Sequence, residues 1–561
     1  MEYREKYNSW LTNEYFDEET RNELFELTDE KEIEDRFYTD LVFGTAGLRG
    51  KIGAGTNRMN KYTVSLATQG LAQTIVKHGQ EAMDRGVAIA FDVRRFSDEF
   101  AKIAARVLAA NGIKSYLYDG IRTTPVLSYT VRRLNCISGI VVTASHNPRD
   151  YNGYKVYWEE GSQILDNVAD EILSEIDGIE SFDSIKLMDF DEAISKGFIT
   201  IIGKEIDDEY NQELLNMAIN DDIDKDIKIV YTPLNGTGNI PVTRILKDRG
   251  FTNVTVVPEQ ENPDSNFTTV GYPNPEDVKA FSYAAALGSE IGADILIATD
   301  PDCDRVAIAI KDSDGYTFFN GNQTGAVLIN YILTARHLNN TLPENASIAK
   351  SIVTGDLGKV IANKFGVKMF ETLTGFKHIC AKANEWEKTN EYNFIFGYEE
   401  SIGYVYGTLV RDKDAVVSTM IIAEMAAYYK KQGKSVLDVL NEIYEEYGHY
   451  NEKLISIVLE GIEGQQRIGR IMESIRHNPI EKLGSMILEK TIDYLHDETD
   501  AGESDVLKYY MDDGSWYAIR PSGTEPKIKL YIYTKGKSKE ESFEKIDLIE
   551  NAVRVRMDDV E

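Results

Sequence analysis

Residues 141–150 read VVTASHNPRD and set Ser145 beside His146, just past the apolar run Ile140, Val141, Val142. The pair could be a hydrolase nucleophile with its base, a phosphoryl carrier with a neighbour, or a polar turn without chemistry. A serine hydrolase carries its nucleophile in G-x-S-x-G, on a strained turn. Here Thr143 and Asn147 stand at the glycine positions, and Ala144 and His146 flank the serine. On an extended chain adjacent side chains point to opposite sides, so His146 is expected to be badly placed as the base of Ser145. The phosphoryl-carrier reading agrees better with the other polar loops.

The first of these is TDPDCDR, Thr299 to Arg305. Its Asp300, Asp302 and Asp304 alternate, and carboxylates that close raise one another's pKa unless a cation joins them. Hard oxygen donors suit Mg²⁺ or Ca²⁺. An EF-hand is excluded, because its required glycine would be Arg305 and its closing glutamate Lys311. A solvated acidic turn is the alternative; the apolar run before the loop, with Arg305 after it, favours a metal. In RPSGTEPKIK, Arg520 to Lys529, a guanidinium, hydroxyls and backbone donors suit a phosphate monoester, or form a Ser-Gly hairpin. GYEES, Gly397 to Ser401, offers carboxylates and a hydroxyl to a sugar, or to water. FGTAGLRGKIGAGTNR, Phe43 to Arg58, mixes glycines with Arg49, Lys51 and Arg58. It could hold an anion or stay a loop, and it lacks the spacing of a nucleotide P-loop. TGFKHI puts Lys377 and His378 after a strand, with His378 read as structural. Lys155, in DYNGYK, could serve as acid or base.

These loops need elements to position them. A strand–loop–helix unit recurs three times. Its strands are expected at 87–91, 114–118 and 138–142, then 227–231, 254–257 and 294–298, then 347–353, 368–371 and 393–396. Helices at 98–111, 241–248, 275–287 and 376–387 lie between them, several closed by glycine. Parallel α/β units gather ligands at the carboxyl ends of their strands, so the polar strand ends should line one cleft. The tail differs: strands at 516–520 and 527–534 surround PSGTEP, and a helix follows at 537–557.

The chain has 561 residues, enough for three to five domains at about 100–200 residues each. A net charge of −32 weighs against nucleic acid and anionic membranes as partners, and serves mainly solubility. The start, MEYREKYNSWL, reads as an amphipathic helix and not a signal peptide. The apolar stretch Ala415 to Tyr429 holds Glu424 and is shorter than the ~20 residues of a membrane span, so it reads as a buried helix. Three cysteines, Cys136, Cys303 and Cys380, suggest a reducing cytoplasm.

Taken in order, TASHNP, DPDCDR and RPSGTEP resemble the α-D-phosphohexomutase family, over essentially the whole chain. The style of FGTAGLRG, TGFK and YEES is nearest the long bacterial phosphoglucomutase/phosphomannomutase branch. The resemblance implies three similar mixed α/β domains plus a C-terminal TATA-box-binding-protein-like α+β domain. Boundaries are expected at 1–204 (phosphoserine loop), 205–322 (metal loop), 323–448 (sugar loop) and 449–561 (phosphate loop). It implies that Ser145 bears the phosphoryl group and, with Asp300, Asp302 and Asp304, holds Mg²⁺. Glu399 and Ser401 would hold sugar hydroxyls; Arg520, Ser522, Gly523 and Thr524 would hold the distal phosphate. Arg49, Arg94, His146, Lys155, Arg305 and Lys377 match the family's basic active-site positions. Arg94, Arg305, Thr374 and Gly375 are expected against substrate. Lys155 is the first choice for general acid/base, with Lys377 or His146 able to share that role.

The implied reaction interconverts glucose 1-phosphate and glucose 6-phosphate through glucose 1,6-bisphosphate. Mannose phosphate is the nearest rival substrate, and pentose phosphate a further one. A metal-dependent phosphatase and a non-catalytic sugar-phosphate-binding protein are the other classes. Partners would be hexose phosphates, for a monomer or homodimer. Two departures stand out: Tyr398 and Ile402 replace the glycines of a common G-E-x-S-G loop, and Asn235 stands where many relatives have histidine.

Overall fold

The computed structural model describes residues 2–44, 47–459, 461–522 and 527–560. Three sheets share one plan. In the first, Val87–Phe91 lies between Ser115–Tyr118 and Ser138–Val142, both parallel to it. Tyr151–Trp158 then returns antiparallel to Ser138–Val142. The second sheet repeats this with Ile229–Thr232 between Val254–Val256 and Ile295–Thr299, and Val306–Asp312 returning. The third has Ala346–Ser351 between Lys368–Thr372 and Asn393–Glu399, and Gly403–Tyr406 returning. The inner strands are buried over their whole length, as VAIAF and SGIVV require when helices cover both faces.

The plan has a consequence for chemistry. In each sheet the reversal between the third strand and its antiparallel return is a polar loop: 143–150, 300–305 and 400–402. Each reversal bends through one non-glycine residue with positive φ: Ser145 (50°), Cys303 (55°) and Ile402 (53°). The left-handed region is costly for a β-branched side chain such as Ile402, and residues held there cluster at functional sites.

The fourth sheet is antiparallel, in the order His449–Val458, Lys527–Gly536, Trp516–Pro521, Leu507–Met511, Met486–Asp493, Lys482–Leu483. Helices Gly461–His477 and Lys539–Asp558 contribute to its separate core, around Ile471, Tyr517 and Ile549. At the other end, helices Glu2–Thr12, Glu18–Phe25 and Glu30–Phe37 form a small aromatic core of Trp10, Phe16 and Phe37 against Tyr62. One expected helix differs. It begins at Ser282 and not near Pro275, after a 3₁₀ turn at Val278–Phe281. Asn274 accepts the Glu276 N–H and Asp277 the Lys279 N–H, and such local bonds compete with helix.

The middle two sheets share one continuous core, which takes in Ile229 and Leu296 with Ile348 and Phe396. The helix Ala415–Lys431 lies inside it and carries a fully buried carboxylate, Glu424. That group accepts from Tyr331 Oη (2.7 Å) and from the N–H groups of Ile219 and Asn220, and pairs with Arg249 at 2.7 Å. No described helix is long and apolar enough to cross a membrane. Removing one partner of a buried pair strands the other, so Arg249→Met is expected to cost about 3 kcal/mol. It should appear as an earlier urea midpoint; an unchanged midpoint would mean that Tyr331 and the backbone hold Glu424 unaided.

Candidate active site

The serine loop is held from beneath. Thr143 Oγ1 donates to Asp92 Oδ2 (2.7 Å) and accepts the Ser145 N–H (2.9 Å). Arg94 donates to the carbonyls of Ser145, Asn147 (2.6 Å), Pro148 (2.9 Å) and Tyr151 (3.1 Å). This corrects one expectation. Arg94 has no accessible side-chain surface, so it clamps the loop and does not face a substrate.

The clamp fixes Ser145 in its left-handed bend, and a second expectation fails with it. The chain is not extended there, so His146 Nδ1 comes within 3.2 Å of Ser145 Oγ. Burial, with Arg305, Arg49 and Lys155 around it, pushes the His146 pKa far down and keeps the ring neutral. Ser145 Oγ also donates to Asp300 Oδ2 at 2.7 Å.

Asp300, Asp302 and Asp304 are all buried, and one ligand atom from each lies within 4.8 Å of the others. Most of their oxygens are engaged. Asp300 accepts from Ser145 and from the N–H groups of Asp304 and Arg305. Asp302 Oδ2 accepts from Lys155 Nζ (2.9 Å) and Thr124 Oγ1 (2.8 Å). Asp304 Oδ2 pairs with Lys413 Nζ at 3.1 Å. Asp302 Oδ1 and Asp304 Oδ1 are buried with no hydrogen-bond partner among the described residues. Buried oxygens are rarely left so, and hard oxygens facing one point fit a divalent cation. Burial and the charges of Asp302 and Asp304 drive the Asp300 pKa well up. Burial opposes ionisation of Asp302 too, but Lys155 holds its pKa low.

Beside the triad opens a cleft of about 590 Å³. His146, Arg305, Thr374, Gly375, Glu399, Ser401 and Arg520 line it, so all four units contribute to its wall. Glu399 accepts the Gly375 N–H at 2.8 Å, and burial beside Glu400 raises its pKa. Arg305 Nη1 donates to Ser401 O (3.1 Å), joining the metal loop to the GYEES loop. Arg49 reaches Asn147 Oδ1 of the serine loop at 3.3 Å. Lys377 pairs with Asp166 at 2.8 Å, across the first and third units. Ser522 N donates to Lys527 O (2.8 Å) at the base of the last loop; Gly523 and Thr524 lie outside the described residues.

Tyr398 turns into the core and donates to Gly355 O (3.3 Å), while Ile402 adopts the positive φ that a glycine would tolerate. Asn235 is buried and donates to the carbonyls of Glu259 and Asn262. Sequence reasoning missed Asp92, Thr124, Asp412 and Lys413. The last two lie in RDKD, directly before a helix that is apolar all round, and charges in that position have to be interior.

One sheet plan used three times, with each polar reversal turned toward one cleft and a fourth antiparallel sheet beside it, defines a four-domain phosphohexomutase. The chain belongs to the phosphoglucomutase/phosphomannomutase family. Models of its α/β/α domains I, II and III match residues 40–183, 208–315 and 320–447, and that of its C-terminal domain matches 458–546. It is therefore an isomerase that works by phosphoryl transfer. A phosphoglucomutase from Staphylococcus aureus (strain MRSA252) is 39% identical over 528 residues, covering 91% of this chain and 93% of that one. One from Staphylococcus epidermidis is 38% identical over 537 residues, covering 94% and 96%. Among solved structures, Paramecium parafusin, a phosphoglucomutase-type phosphoprotein in an open form, has a TM-score of 0.70 at 19% identity, covering 93% of this chain and 95% of that one.

A ligand that binds only the folded chain stabilises it. Mg²⁺ at 100 times its Kd is expected to add about 2.7 kcal/mol and raise the thermal midpoint. The double variant Asp302→Asn, Asp304→Asn should lose that shift. An equal shift in the variant would place the cation elsewhere.

Proposed function

We propose that the chain interconverts glucose 1-phosphate and glucose 6-phosphate, with Ser145 as phosphoryl carrier and glucose 1,6-bisphosphate as intermediate. The observation that carries this reading is the Ser145 hydroxyl, 2.7 Å from Asp300 and beside a cleft that runs to Arg520. The relatives named phosphoglucomutase support the choice of glucose.

Phosphoryl transfer needs positioning and charge neutralisation more than new covalent chemistry. Arg94 sets the serine backbone, and the positive φ aims Oγ at the triad. Asp300, Asp302 and Asp304 would hold Mg²⁺, with an oxygen of the phosphorylated Ser145 completing the set. When bound, that ion supplies the charge to offset a phosphoserine among carboxylates. Lys155 is assigned to move the proton at the sugar hydroxyl, with Lys377 and His146 as the other groups in reach of that role. Glu399 and Ser401 would hold the sugar hydroxyls, whose acceptor-rich loop suits neutral donors and repels anions. Arg520 and Ser522, with Gly523 and Thr524, would hold the phosphate at the far end.

The bisphosphate then has to turn, so that its other phosphate faces Ser145. A cleft of about 590 Å³ is ample for one sugar bisphosphate, since small-molecule sites run from about 300 to 1,000 Å³. Walls from separate domains could exclude water, which would otherwise hydrolyse the phosphoserine.

The test is turnover of glucose 1-phosphate, with Mg²⁺ and a trace of glucose 1,6-bisphosphate, read through a glucose 6-phosphate dehydrogenase couple. Mannose 1-phosphate and ribose 1-phosphate run alongside; a faster rate on mannose would move the assignment to phosphomannomutase. Release of inorganic phosphate alone would point to a phosphatase, and no turnover of any sugar would sink the mutase reading. Ser145→Ala should lower kcat by about 10⁶-fold, the scale of losing a nucleophile. Intact-protein mass should also lose a phosphorylated fraction in that variant; phosphate retained would mean that another residue is the carrier.

A further inference from the structure

All three aspartates are steadied from outside their own loop: Ser145 donates to Asp300, Lys155 to Asp302, and Asp304 Oδ2 has Lys413 Nζ at 3.1 Å with Lys155 Nζ farther off at 3.8 Å. The strand Tyr151–Trp158 puts Lys155 and Tyr157 on one face, since side chains two apart on a strand point the same way. Lys155 takes Asp302 Oδ2 directly, at 2.9 Å. Tyr157 Oη donates to Asp412 Oδ2 at 2.6 Å, where Gln163 Nε2 also donates, at 2.9 Å. The other oxygen of Asp412 pairs with Lys413 Nζ at 2.9 Å. Lys413 Nζ in turn reaches Asp304 Oδ2 at 3.1 Å. Both residues come from the third unit, while Tyr157 belongs to the first and Asp304 to the second.

The lysine is built into its place. Its side chain is 8% exposed, and its amine lies 5.2 Å from the Phe376 ring centre. Its stem runs beside Gly403, the first residue after the GYEESI reversal. A Cβ on Gly403 would fall 2.4 Å from Lys413 Cδ. Gly403 also bridges Arg305, and Ile402 O accepts the Val306 N–H at 3.2 Å. So one side chain touches the sugar-facing loop along its stem and the aspartate triad at its tip. With Oδ2 of Asp304 held by the amine, Oδ1 is the oxygen left without a hydrogen bond, its nearest cation being Arg305 Nε at 3.8 Å.

The geometry assigns Lys413 as a positioning residue that turns Asp304 Oδ1 toward the metal and ties the metal centre to the GYEES loop. This rests on the reading of the triad as a divalent-cation site. Partners that orient a ligand from behind typically govern metal affinity about 10- to 100-fold. The alternative role gives the opposite sign. If the amine were only a competing cation, its removal would tighten metal binding.

The test uses Mn²⁺ and the full chain, with affinity measured by calorimetry and folding by thermal midpoint. Lys413→Met is expected to weaken Mn²⁺ binding about 10-fold or more in a chain that folds with a lower midpoint, since two buried carboxylates lose a partner, and Lys413→Arg to recover most of the loss in affinity. Gly403→Ala keeps the charge but displaces the stem, and should weaken Mn²⁺ binding as well; it carries the test if the methionine variant fails to fold. Unchanged or tighter binding in a folded Lys413→Met chain, or unchanged binding in Gly403→Ala, would overturn the assignment and leave the metal reading intact. A wild-type chain that binds no Mn²⁺ would overturn both.

Discussion

Mutual repulsion among three buried carboxylates is the constraint that the rest of the molecule answers. Asp300, Asp302 and Asp304 come within 4.8 Å of one another in a place that water hardly reaches. Removing water strengthens both repulsion between like charges and attraction to opposite ones. The fold meets this with cations drawn from two other units, Lys155 from one side and Lys413 from the other, and a hydroxyl from Thr124. No single domain could hold the loop in this state. The aspartate triad and the interface between domains are one structure.

The second theme is repetition with altered endings. One strand order appears three times, and each time a residue at the same reversal meets the cleft: His146, Arg305 and Ser401. The bend that makes it tight is taken by a serine, a cysteine and an isoleucine, none of which favours positive φ. Outside supports hold these bends: Arg94 grips the Ser145 loop by its carbonyls, and Arg305 ties the metal loop to Ser401. Local strain is kept because the surroundings over-determine it.

What the sequence made legible follows from range. Buried parallel strands such as VAIAF are continuous apolar runs, and glycines close several helices, so the three units could be read locally. The aspartate alternation announced its own repulsion. Less could be read where a distant partner decides. Nothing near Ser145 encodes its left-handed bend, which Arg94 imposes from another loop; hence His146 is nearer the hydroxyl, and Arg94 farther from the cleft, than the residues suggested. Lys413 stands before a buried helix, so an interior place could be read for it, but nothing local names Asp304 as its partner. In the last domain, Met486–Asp493 is largely exposed and alternates weakly, so its outer strands give little local signal.

The common core of the second and third sheets bears on how this chain can be divided. The first and last sheets each have a core of their own, around Ile89 and Tyr517. The middle pair has none apiece, and the buried Glu424 with Arg249 crosses between them. Copies of one plan have thus ceased to be interchangeable parts. A chain severed in the stretch that joins the middle pair would expose two unfinished halves of one interior, and the cut would be felt beyond them, because that interior also takes in Ala88 and Val141 of the first sheet and Trp516 and Tyr531 of the last.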